Sequence, residues 1–573
     1  MPRGLTMESA DIILSPTETL DQPQPPQPDS EQGPHSATVK QTIKRGLLCA
    51  TVLAYFVYFS FAMAMNFQKA IPLLCITAFV CFCTSYALVK RKFGSRIAKS
   101  MHITWLKGCC SPLSRKLSII VFSGISLVLT AAMILINLSS PGNLVSLAGI
   151  VALLLFSWLI SYHKTRIDPR PVVWGLALQF LLGLFVLRTN VGQQTFSFLG
   201  KQVELFLSHV IAGVEFVFGE NYVDFEFAFK LMPTVIFVNS AVSILYHCGL
   251  MQAVIQKLAV VMHYTMGTSA AETLCTASSI FLGQPEASFT IRPYLEKMTQ
   301  SELHAIMTAG FASVTADVFG LFVVYGISSA HILTAVLMSA PAGLAVSKII
   351  YPEVEEPETR DLSKMQHQED SKETANLIDA AARGATDAIF VVFAVVASLI
   401  AFLSLLHFIN AVIAYLGSLV DIEDLSLDVI LSFALIPVTF LMGVPWSDCR
   451  VVGEVVGLKT VINEFVGYQR LGSYIKANQI SKKAETIATY ALCGFSNPTT
   501  VGITLSGLGA LIPSRRKDLA KLVMTSWVAG SIACFLTACF AGLMYTETEN
   551  EPLRTPFSPS NVTLNFTTIP TAT

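Results

Sequence analysis

The sequence Gly-Gln-Pro-Glu at residues 283–286 decides the fold, together with the sequence Asn-Glu-Phe-Val at 463–466. Each stretch places a carboxylate inside a long apolar segment, the first near 258–291 and the second near 427–465. An unbroken helix that faces lipid does not tolerate such polar interruptions, whereas a re-entrant segment that lines a cavity does. The two stretches therefore predict two re-entrant helical hairpins within a membrane.

The composition around these stretches is that of a membrane protein. Of the 573 residues, 53% are hydrophobic and 13% are charged, and the mean hydropathy is +0.59. Soluble domains carry about 25% charged residues. Runs of about 18 or more apolar residues predict helices that span the bilayer, so we expect an all-α polytopic membrane protein with about eleven transmembrane helices. The predicted spans are 46–67, 70–89, 117–138, 143–162, 171–187, 230–254, 304–328, 331–350, 388–419, 486–511 and 522–545.

Charge and cysteine content exclude several classes of protein. The net charge of −1 supplies no basic field for nucleic acid. The twelve cysteines are scattered and most lie in apolar runs, so they predict neither a disulfide framework nor a metal cluster. The segment 453–460 partly matches a phosphate-binding loop, but Leu458 disrupts the spacing and the segment is apolar. We expect no cofactor.

Composition divides the chain into four regions. We expect a disordered cytosolic tail at 1–45, N-terminal helices at 46–140, a membrane core at 141–545 and a polar tail at 546–573. Basic loops lie between the second and third spans, before the fifth span and before the last, and basic loops face the cytoplasm. An odd number of crossings then places the N-terminus in the cytoplasm and the C-terminal tail outside, where its sequons at Asn561 and Asn565 are open to glycosylation.

The two interrupted segments belong to an internal repeat. Each ends in a carboxylate, and each is followed by a span that contains Gly-Phe, at 310–311 and at 494–495. Paired segments interrupted by Gly or Pro in two halves of a chain are typical of the binding site of a secondary transporter.

Polar residues at membrane depth are the candidate functional residues, because ionisable groups in apolar segments are costly and tend to be functional. Glu286 and Glu464 are the first candidates; the alternative is that each sits at an interface or pairs with a nearby lysine or arginine, such as Arg292 or Arg470 six residues downstream. The candidates Gln284 and Asn497 offer amide groups to a polar solute, and either amide could instead join two helices. A third carboxyl, Asp317, suits a cation, a solute or a buried proton. The residues predict a transporter of a small polar solute.

These motifs resemble those of the concentrative nucleoside transporters. The stretch at 283–286 is similar to that family's Gly-Gln-Thr-Glu signature, and those at 463–466 and 491–497 are similar to two others. The likeness runs from about Arg170 to Gly542, and the preceding spans resemble the N-terminal extension of the animal branch.

The resemblance implies a homotrimer in the plasma membrane, in which each protomer has a scaffold and a mobile transport domain that moves like an elevator. It implies that Gln284 and Glu286 contact the nucleobase of a nucleoside, with Pro285 and Asp317 beside them. The ribose would bind Glu464, Asn497 and Thr500 and pack against Phe495. The residues implied at the sodium site are Ser279, Leu282, Ser313 and Val314.

Departures from the family pattern bear on the coupling ion. The family has Thr at the position of Pro285, an Asn side chain at that of Ser279 and Thr at that of Ser313, and Asp317 replaces a small hydroxyl residue. A serine oxygen reaches less far than an amide oxygen, so we expect a weakened sodium site. The coupling ion is expected to be Na⁺, with H⁺ as the alternative.

Three further readings compete with cation-driven nucleoside import. The first is proton-driven transport with weak sodium dependence, with Asp317 or Glu286 as the proton carrier. The second is a paralogue that binds ligand without transporting it. The third is an intramembrane enzyme, for which the sequence offers no nucleophile–base pair or metal set with the required spacing.

Overall fold

The computed structural model describes residues 53–65, 130–135, 141–219, 232–360 and 375–546, except 421, 423 and 424, together with isolated positions between 46 and 137. Within these residues every regular element is a helix and no strand forms. A helix pairs its own backbone polar groups, which is what an apolar surrounding requires. The prediction of an all-helical fold is confirmed.

The chain divides into two compact units, residues 1–112 and 113–573. The described part of the first unit is mainly the helix α1, Leu53–Met65, in which the Tyr55 hydroxyl is 2.6 Å from the Thr77 hydroxyl. The predicted span at 70–89 lies outside the described residues apart from Thr77, and that at 117–138 is described only at 130–135 and at a few isolated positions.

The second unit contains the helices that carry the candidate site. In chain order they are α2 (Leu144–Leu159), α3 (Pro169–Gly183), α4 (Asn190–Ser208), α5 (Val210–Phe218), α6 (Met232–His247), α7 (Leu250–Met266), α8 (Ala270–Ser278), α9 (Gln284–Phe289), α10 (Gln300–Ala312), α11 (Ala316–Val324), α12 (Ser329–Ile350), α13 (Leu377–Ser418), α14 (Leu427–Ala434), α15 (Ile436–Leu441), α16 (Cys449–Val461), α17 (Glu464–Lys476), α18 (Lys482–Leu492), α19 (Pro498–Leu511) and α20 (Arg516–Met544).

Among the described residues, three helical stretches are long and apolar enough to cross a membrane. They are Pro169–Arg188, Ser329–Ile350 and Pro513–Met544. The helices α6 and α7 would make a fourth crossing if taken together, but they meet at a bend of 78°. The expectation of one continuous span at 230–254 is therefore wrong. Gly249 lies at the bend with a φ of 77°, a left-handed conformation that glycine adopts readily.

Two other predicted spans are also interrupted. The span at 304–328 is α10 and α11 with a break at 313–315, and the span at 486–511 is α18 and α19 with a break at 493–497. Pro498 explains the second break, because proline suits the first turn of a new helix but cannot continue an existing one. We call α10 with α11 the first broken helix, and α18 with α19 the second.

Each broken helix follows a pair of helices that are themselves separated by a short break. The first hairpin segment is α8 and α9 (270–289), and the second is α16 and α17 (449–476). The element order is thus the same in both halves, as the sequence repeat predicts. Asn463 and Glu464 begin α17, which continues to Lys476, so the second hairpin segment as defined here extends beyond the predicted stretch near 427–465. That the two segments re-enter the membrane stays a prediction, as does the number of crossings.

Two buried helices, α12 and α20, form the centre of the second unit. Helices α2, α3, α10 and α18 pack around them, and the largest apolar cluster includes residues of α12, α16, α18 and α20. The long helix α13 packs instead against α6, where the Ser240 hydroxyl donates to the Ala381 carbonyl at 3.0 Å. Gly384 permits this approach, since an added Cβ would lie 2.6 Å from the Ser243 side chain.

Candidate substrate site

The candidate site residues stand where helices begin. Helix α9 starts at Gln284, α17 starts at Glu464 after the capping residue Asn463, and α19 starts after the capping residue Asn497. The first turn of a helix has backbone N–H groups without partners in the helix, and the N-terminus carries a partial positive charge. The ends of α17 and α19 therefore favour ligand groups that accept hydrogen bonds or carry negative charge.

Glu464 and Asn497 join the second hairpin segment to the second broken helix. The Asn497 amide nitrogen donates to the Glu464 carboxylate at 2.5 Å, and both side chains are buried. The Asn497 amide oxygen accepts from the backbone N–H and the hydroxyl of Thr500, at 3.0 and 3.2 Å. A buried carboxylate and an amide are thus held together at one point, as recognition of hydroxyl groups requires.

Arg470, the alternative partner suggested for Glu464, contacts a different carboxylate. Its guanidinium forms an ion pair with Glu454 at 2.7 Å, and the Tyr474 hydroxyl donates to the same carboxylate at 2.9 Å. These contacts connect α16 to α17. The arginine therefore stabilises the second hairpin segment from within.

Gln284 reaches the second broken helix from the other half of the repeat. Its amide oxygen accepts from the Thr504 hydroxyl at 2.6 Å, and its amide nitrogen donates to the Met307 carbonyl at 3.5 Å. Gly310 leaves the space that the glutamine fills, because an added Cβ would lie 2.5 Å from the Gln284 Cγ. Thr504 lies one turn beyond Thr500, about 6 Å along the helix axis. The cap of α19 at Asn497 thus contacts the second hairpin segment, and Thr504, about two turns along the helix, contacts the first.

Thr504 is a site residue that the sequence analysis missed. Its signal was available in the spacing, because residues four apart lie on the same face of a helix and Thr500 was already a candidate. The partner of Thr504, however, is 220 positions away in the sequence.

The other predicted substrate residues do not join the side-chain contacts between Gln284, Thr504, Glu464 and Asn497 described above. Glu286 is exposed, and its carboxylate folds back against Gly283. Phe495 is half-buried, and its backbone N–H donates to the Ser313 carbonyl at 3.3 Å. Pro285 lies in the first turn of α9 and Asp317 in that of α11; their side chains are outside the described part of the structure.

The predicted sodium residues follow the C-terminal ends of two helices that pack together, α8 and α10. The Ser279 hydroxyl donates to the Cys275 carbonyl at 3.0 Å, and the Ser313 hydroxyl donates to the Ala309 carbonyl at 2.9 Å. Val314 is buried and Leu282 is half-buried. Helix C-termini carry a partial negative charge, and hydroxyl and carbonyl oxygens suit a hard cation. The residues present therefore fit a sodium ion, with fewer long-reaching oxygens than an asparagine would supply.

The two broken helices meet at their breaks, a contact that we call the crossing at Gly494. An alanine Cβ at Gly494 would lie 2.8 Å from the Phe311 carbonyl oxygen and 3.0 Å from that of Ala312. The hydrogen bond from Phe495 to Ser313 adds a direct backbone link at the same place. The glycine of the second Gly-Phe motif therefore allows the breaks to meet.

Comparison with known proteins gives the same assignment for most of the chain. Residues 148–221 match the family model for the Na⁺-dependent nucleoside transporter N-terminus, 228–329 match the model for nucleoside recognition, and 331–542 match that for the transporter C-terminus. The mouse sodium/nucleoside cotransporter 2 is 42% identical over 520 residues, which are 87% of this chain and 76% of that protein. This chain belongs to the sodium-dependent nucleoside transporter family. The resemblance found in the sequence motifs is confirmed.

Other members of the nucleoside transporter family are similarly close. The rabbit sodium/nucleoside cotransporter 1 is 41% identical over 534 residues, or 89% of this chain and 78% of that one. Among solved structures, CNTnw in an inward-facing substrate-bound state is 34% identical with a TM-score of 0.66, covering 70% of this chain and 97% of CNTnw. The family consists of membrane transporters, so this chain is a transporter rather than an enzyme.

Proposed function

We propose that this chain imports nucleosides across the plasma membrane, driven by cation entry, as a homotrimer whose protomers work by an elevator-like exchange. Its relatives are named sodium/nucleoside cotransporters. One observation carries the proposal: the two halves of the repeat bring Gln284 and Glu464 to the same helix, α19, through Thr504 and Asn497. Two separate polar contacts about two turns apart, roughly 10 Å along the helix axis, suit a solute with a polar ring at one end and hydroxyl groups at the other.

Each contact has a proposed role. Gln284, with Glu286 at the edge, binds the nucleobase, and Pro285 and Asp317 stand beside it. Glu464, Asn497 and Thr500 bind the ribose, while the half-buried Phe495 ring packs against the sugar. Adjacent ribose hydroxyls are donors, and an ionised carboxylate accepts such hydrogen bonds more strongly than a neutral group does.

The helices of the second unit fall into two packing groups, which fits a scaffold and a mobile domain that alternates between the two sides of the membrane. We assign α6 and α13 to the scaffold, because α13 packs mainly against α6 while α12 and α20 form the centre of the other helices. Gly320 of α11 faces the scaffold closely, since an added Cβ would lie 2.6 Å from the Thr234 methyl group. Solved structures of CNTnw and its variants include inward-facing, intermediate and outward-facing states.

The coupling ion is proposed to be sodium at Ser279, Leu282, Ser313 and Val314. A proton is the second candidate, and one contact favours it. The Ser279 hydroxyl donates to the Cys275 carbonyl of its own helix at 3.0 Å, so its oxygen keeps its lone pairs for a cation but reaches less far than an asparagine oxygen would.

Uptake of labelled uridine and adenosine into cells tests the proposed function. Glu464→Gln keeps the shape of the side chain but removes its charge and one acceptor, so we expect uptake efficiency to fall about 10- to 100-fold at unchanged surface expression. Glu485→Gln is the matched control, because Glu485 pairs with the exposed Lys482 away from the site. We expect this variant to transport like the wild type.

Two outcomes would contradict the proposal. Wild-type protein at the cell surface that takes up neither nucleoside would favour a ligand-binding paralogue. Wild-type kinetics in Glu464→Gln would show that the carboxylate does not contact the solute.

A further inference from the structure

A fully buried lysine lies behind the proposed ribose end of the site. Lys459 is in α16, the first helix of the second hairpin segment, and its side chain has no exposed surface. Its ammonium donates to the Ser496 hydroxyl at 3.1 Å and to the Ala491 carbonyl at 3.3 Å. Both partners belong to the second broken helix, so this side chain spans from one element of the site to the other.

The partners of Lys459 explain how a buried charge is tolerated there. Ala491 lies in the last turn of α18, where carbonyl groups have no donor within the helix and the helix end is partially negative. The Phe535 ring lies 6.0 Å from the ammonium. The Glu464 carboxylate is within electrostatic range and carries the opposite charge. A buried ammonium is costly unless such partners surround it.

The contacts of Lys459 lie next to the residues proposed to bind the ribose. Ser496 directly precedes Asn497, whose amide contacts Glu464 at 2.5 Å. Glu464 begins α17, the helix after α16, which carries Lys459. Gly467 of α17 lies close to Lys459, because a Cβ added at Gly467 would be 3.1 Å from the Lys459 Cβ. The lysine thus contacts the chain on both sides of the Glu464–Asn497 hydrogen bond.

We propose that Lys459 is a positioning residue for ribose recognition: it holds the break at 493–497 against the second hairpin segment and so sets the contact between Asn497 and Glu464. This inference rests on the proposed function. Lys459 lies in the segment that partly matches a phosphate-binding loop, but its ammonium is occupied by protein groups and serves the fold of the site.

The test compares uridine with 3′-deoxyuridine, which lacks one ribose hydroxyl. In Lys459→Met the apolar stem is kept and the ammonium is lost. We expect the KM for uridine to rise about tenfold, because the hydrogen bonds to the ribose lose their geometry. The KM for 3′-deoxyuridine should rise much less, so the preference for uridine shrinks.

Lys483→Met is the matched control. Lys483 lies on α18, the helix that Lys459 contacts, and donates to Asn143 at 2.8 Å. Its loss should leave the ratio of the two KM values unchanged. Ser496→Ala is a second test, which removes one acceptor of Lys459 and should shift the ratio in the same direction by a smaller factor.

The rise in Tm that each nucleoside causes in the purified protein compares the two affinities without transport. If Lys459→Met does not fold, Ser496→Ala is used for this comparison. A lowered affinity for both nucleosides with an unchanged ratio would show a purely structural role and overturn the inference. If the wild type binds uridine and the variants keep the wild-type preference for uridine over 3′-deoxyuridine, the inference about Lys459 is overturned and the proposed function stands. Wild-type protein that neither binds nor takes up uridine overturns the proposed function together with it.

Discussion

The amide group of Gln284 and the carboxylate of Glu464 use different partners on the same helix. Gln284 accepts from Thr504, and Glu464 accepts from Asn497. All four side chains are buried, so an unmade hydrogen bond at any of them costs the desolvation of the remaining partner. A solute must replace or extend these contacts, which makes the side-chain identities at 284, 464, 497 and 504 decisive for selectivity.

Thr504→Val tests the nucleobase end of the site. The valine keeps the shape of the side chain but cannot donate to Gln284, so the glutamine amide loses its fixed orientation. We expect KM to rise about 2- to 10-fold, which corresponds to a net loss of about 0.5–1.5 kcal/mol for one hydrogen bond. Uptake kinetics with uridine and adenosine measure the change.

The control for this substitution is Thr525→Val. Thr525 lies on α20 and donates to the Leu522 carbonyl within its own helix. An equal rise in KM for both variants would show that Thr504 has no special role in binding.

At the scale of elements, polar capping residues begin several of the helices that form the hairpin segments and the broken helices. The capping pairs Ser269–Glu272 and Thr299–Glu302 begin α8 and α10 in the first half, and Ser481 begins α18 in the second. Capping side chains satisfy N–H groups that have no partner within the helix. Helices can therefore start and stop at buried positions without leaving unpaired donors.

A buried ion pair fixes the start of the first hairpin segment. The Lys348 ammonium of α12 lies 2.7 Å from the Glu272 carboxylate of α8 and donates to the Ser301 hydroxyl of α10 at 3.0 Å. One side chain thus connects three helices. Replacing it would leave a buried carboxylate without its cation, which is more costly than the loss of an exposed pair.

Gly494→Ala tests the crossing of the two broken helices. The new Cβ would meet two carbonyl oxygens of α10 and the Cys534 sulfur, all of them in buried surroundings. We expect a loss of about 1–3 kcal/mol in the free energy of unfolding, as in other overpacked interiors. The measurements are the Tm of the purified protein and its surface expression.

Gly502→Ala is the matched substitution on α19, where an added Cβ has no neighbour within 4 Å. This change should be neutral or stabilise the protein by about 0.5–1 kcal/mol, since alanine favours a helix over glycine. Similar Tm values for the two variants would contradict the crossing.

At the scale of the whole molecule, the coupling ion determines what drives import. We expect wild-type uptake to depend weakly on sodium, because the Ser279 side chain is shorter than an asparagine and its hydrogen bond to Cys275 holds it against its own helix. Ser279→Asn supplies a longer carbonyl oxygen and should lower the sodium concentration needed for half-maximal uptake. Uptake is measured at fixed pH with sodium replaced by choline, then at fixed sodium from acidic to neutral pH.

The variant Asp317→Ser completes this experiment. If protons share the driving force, uptake in choline should fall as pH rises, and Asp317→Ser should weaken that response. Complete sodium dependence of the wild type with no pH response would refute proton coupling and leave sodium as the driving ion.

The orientation of the chain is tested at its C-terminal tail. Asn561 and Asn565 lie outside the described residues, and the basic loops predict that this tail is extracellular. Glycosidase treatment of surface protein should shift the gel band, and removal of both sequons should abolish that shift. An intact tail that is never glycosylated, and that an antibody detects only in permeabilised cells, would place it in the cytoplasm.

The sequence by itself determined the membrane class and the all-helical fold, indicated the repeat, and named Gln284, Glu464 and Asn497 as candidates. Ionisable and amide groups stand out in apolar segments because they are costly there, so their importance is visible without any contact. The polar interruptions of 258–291 and 427–465 were also visible, whereas the breaks near Gly249, at 313–315 and at 493–497 lay in stretches predicted as continuous spans.

Only the tertiary structure decided which of these residues meet. The contacts of Gln284 with Thr504 and of Lys459 with Ser496, the pairing of Arg470 with Glu454 and the crossing at Gly494 join residues from different helices. Periodicity reports which face of one helix is apolar, but it does not report which helix packs against that face. The partners follow from how the broken helices fit together, because the space left by Gly310 and Gly494 decides how closely their neighbours approach.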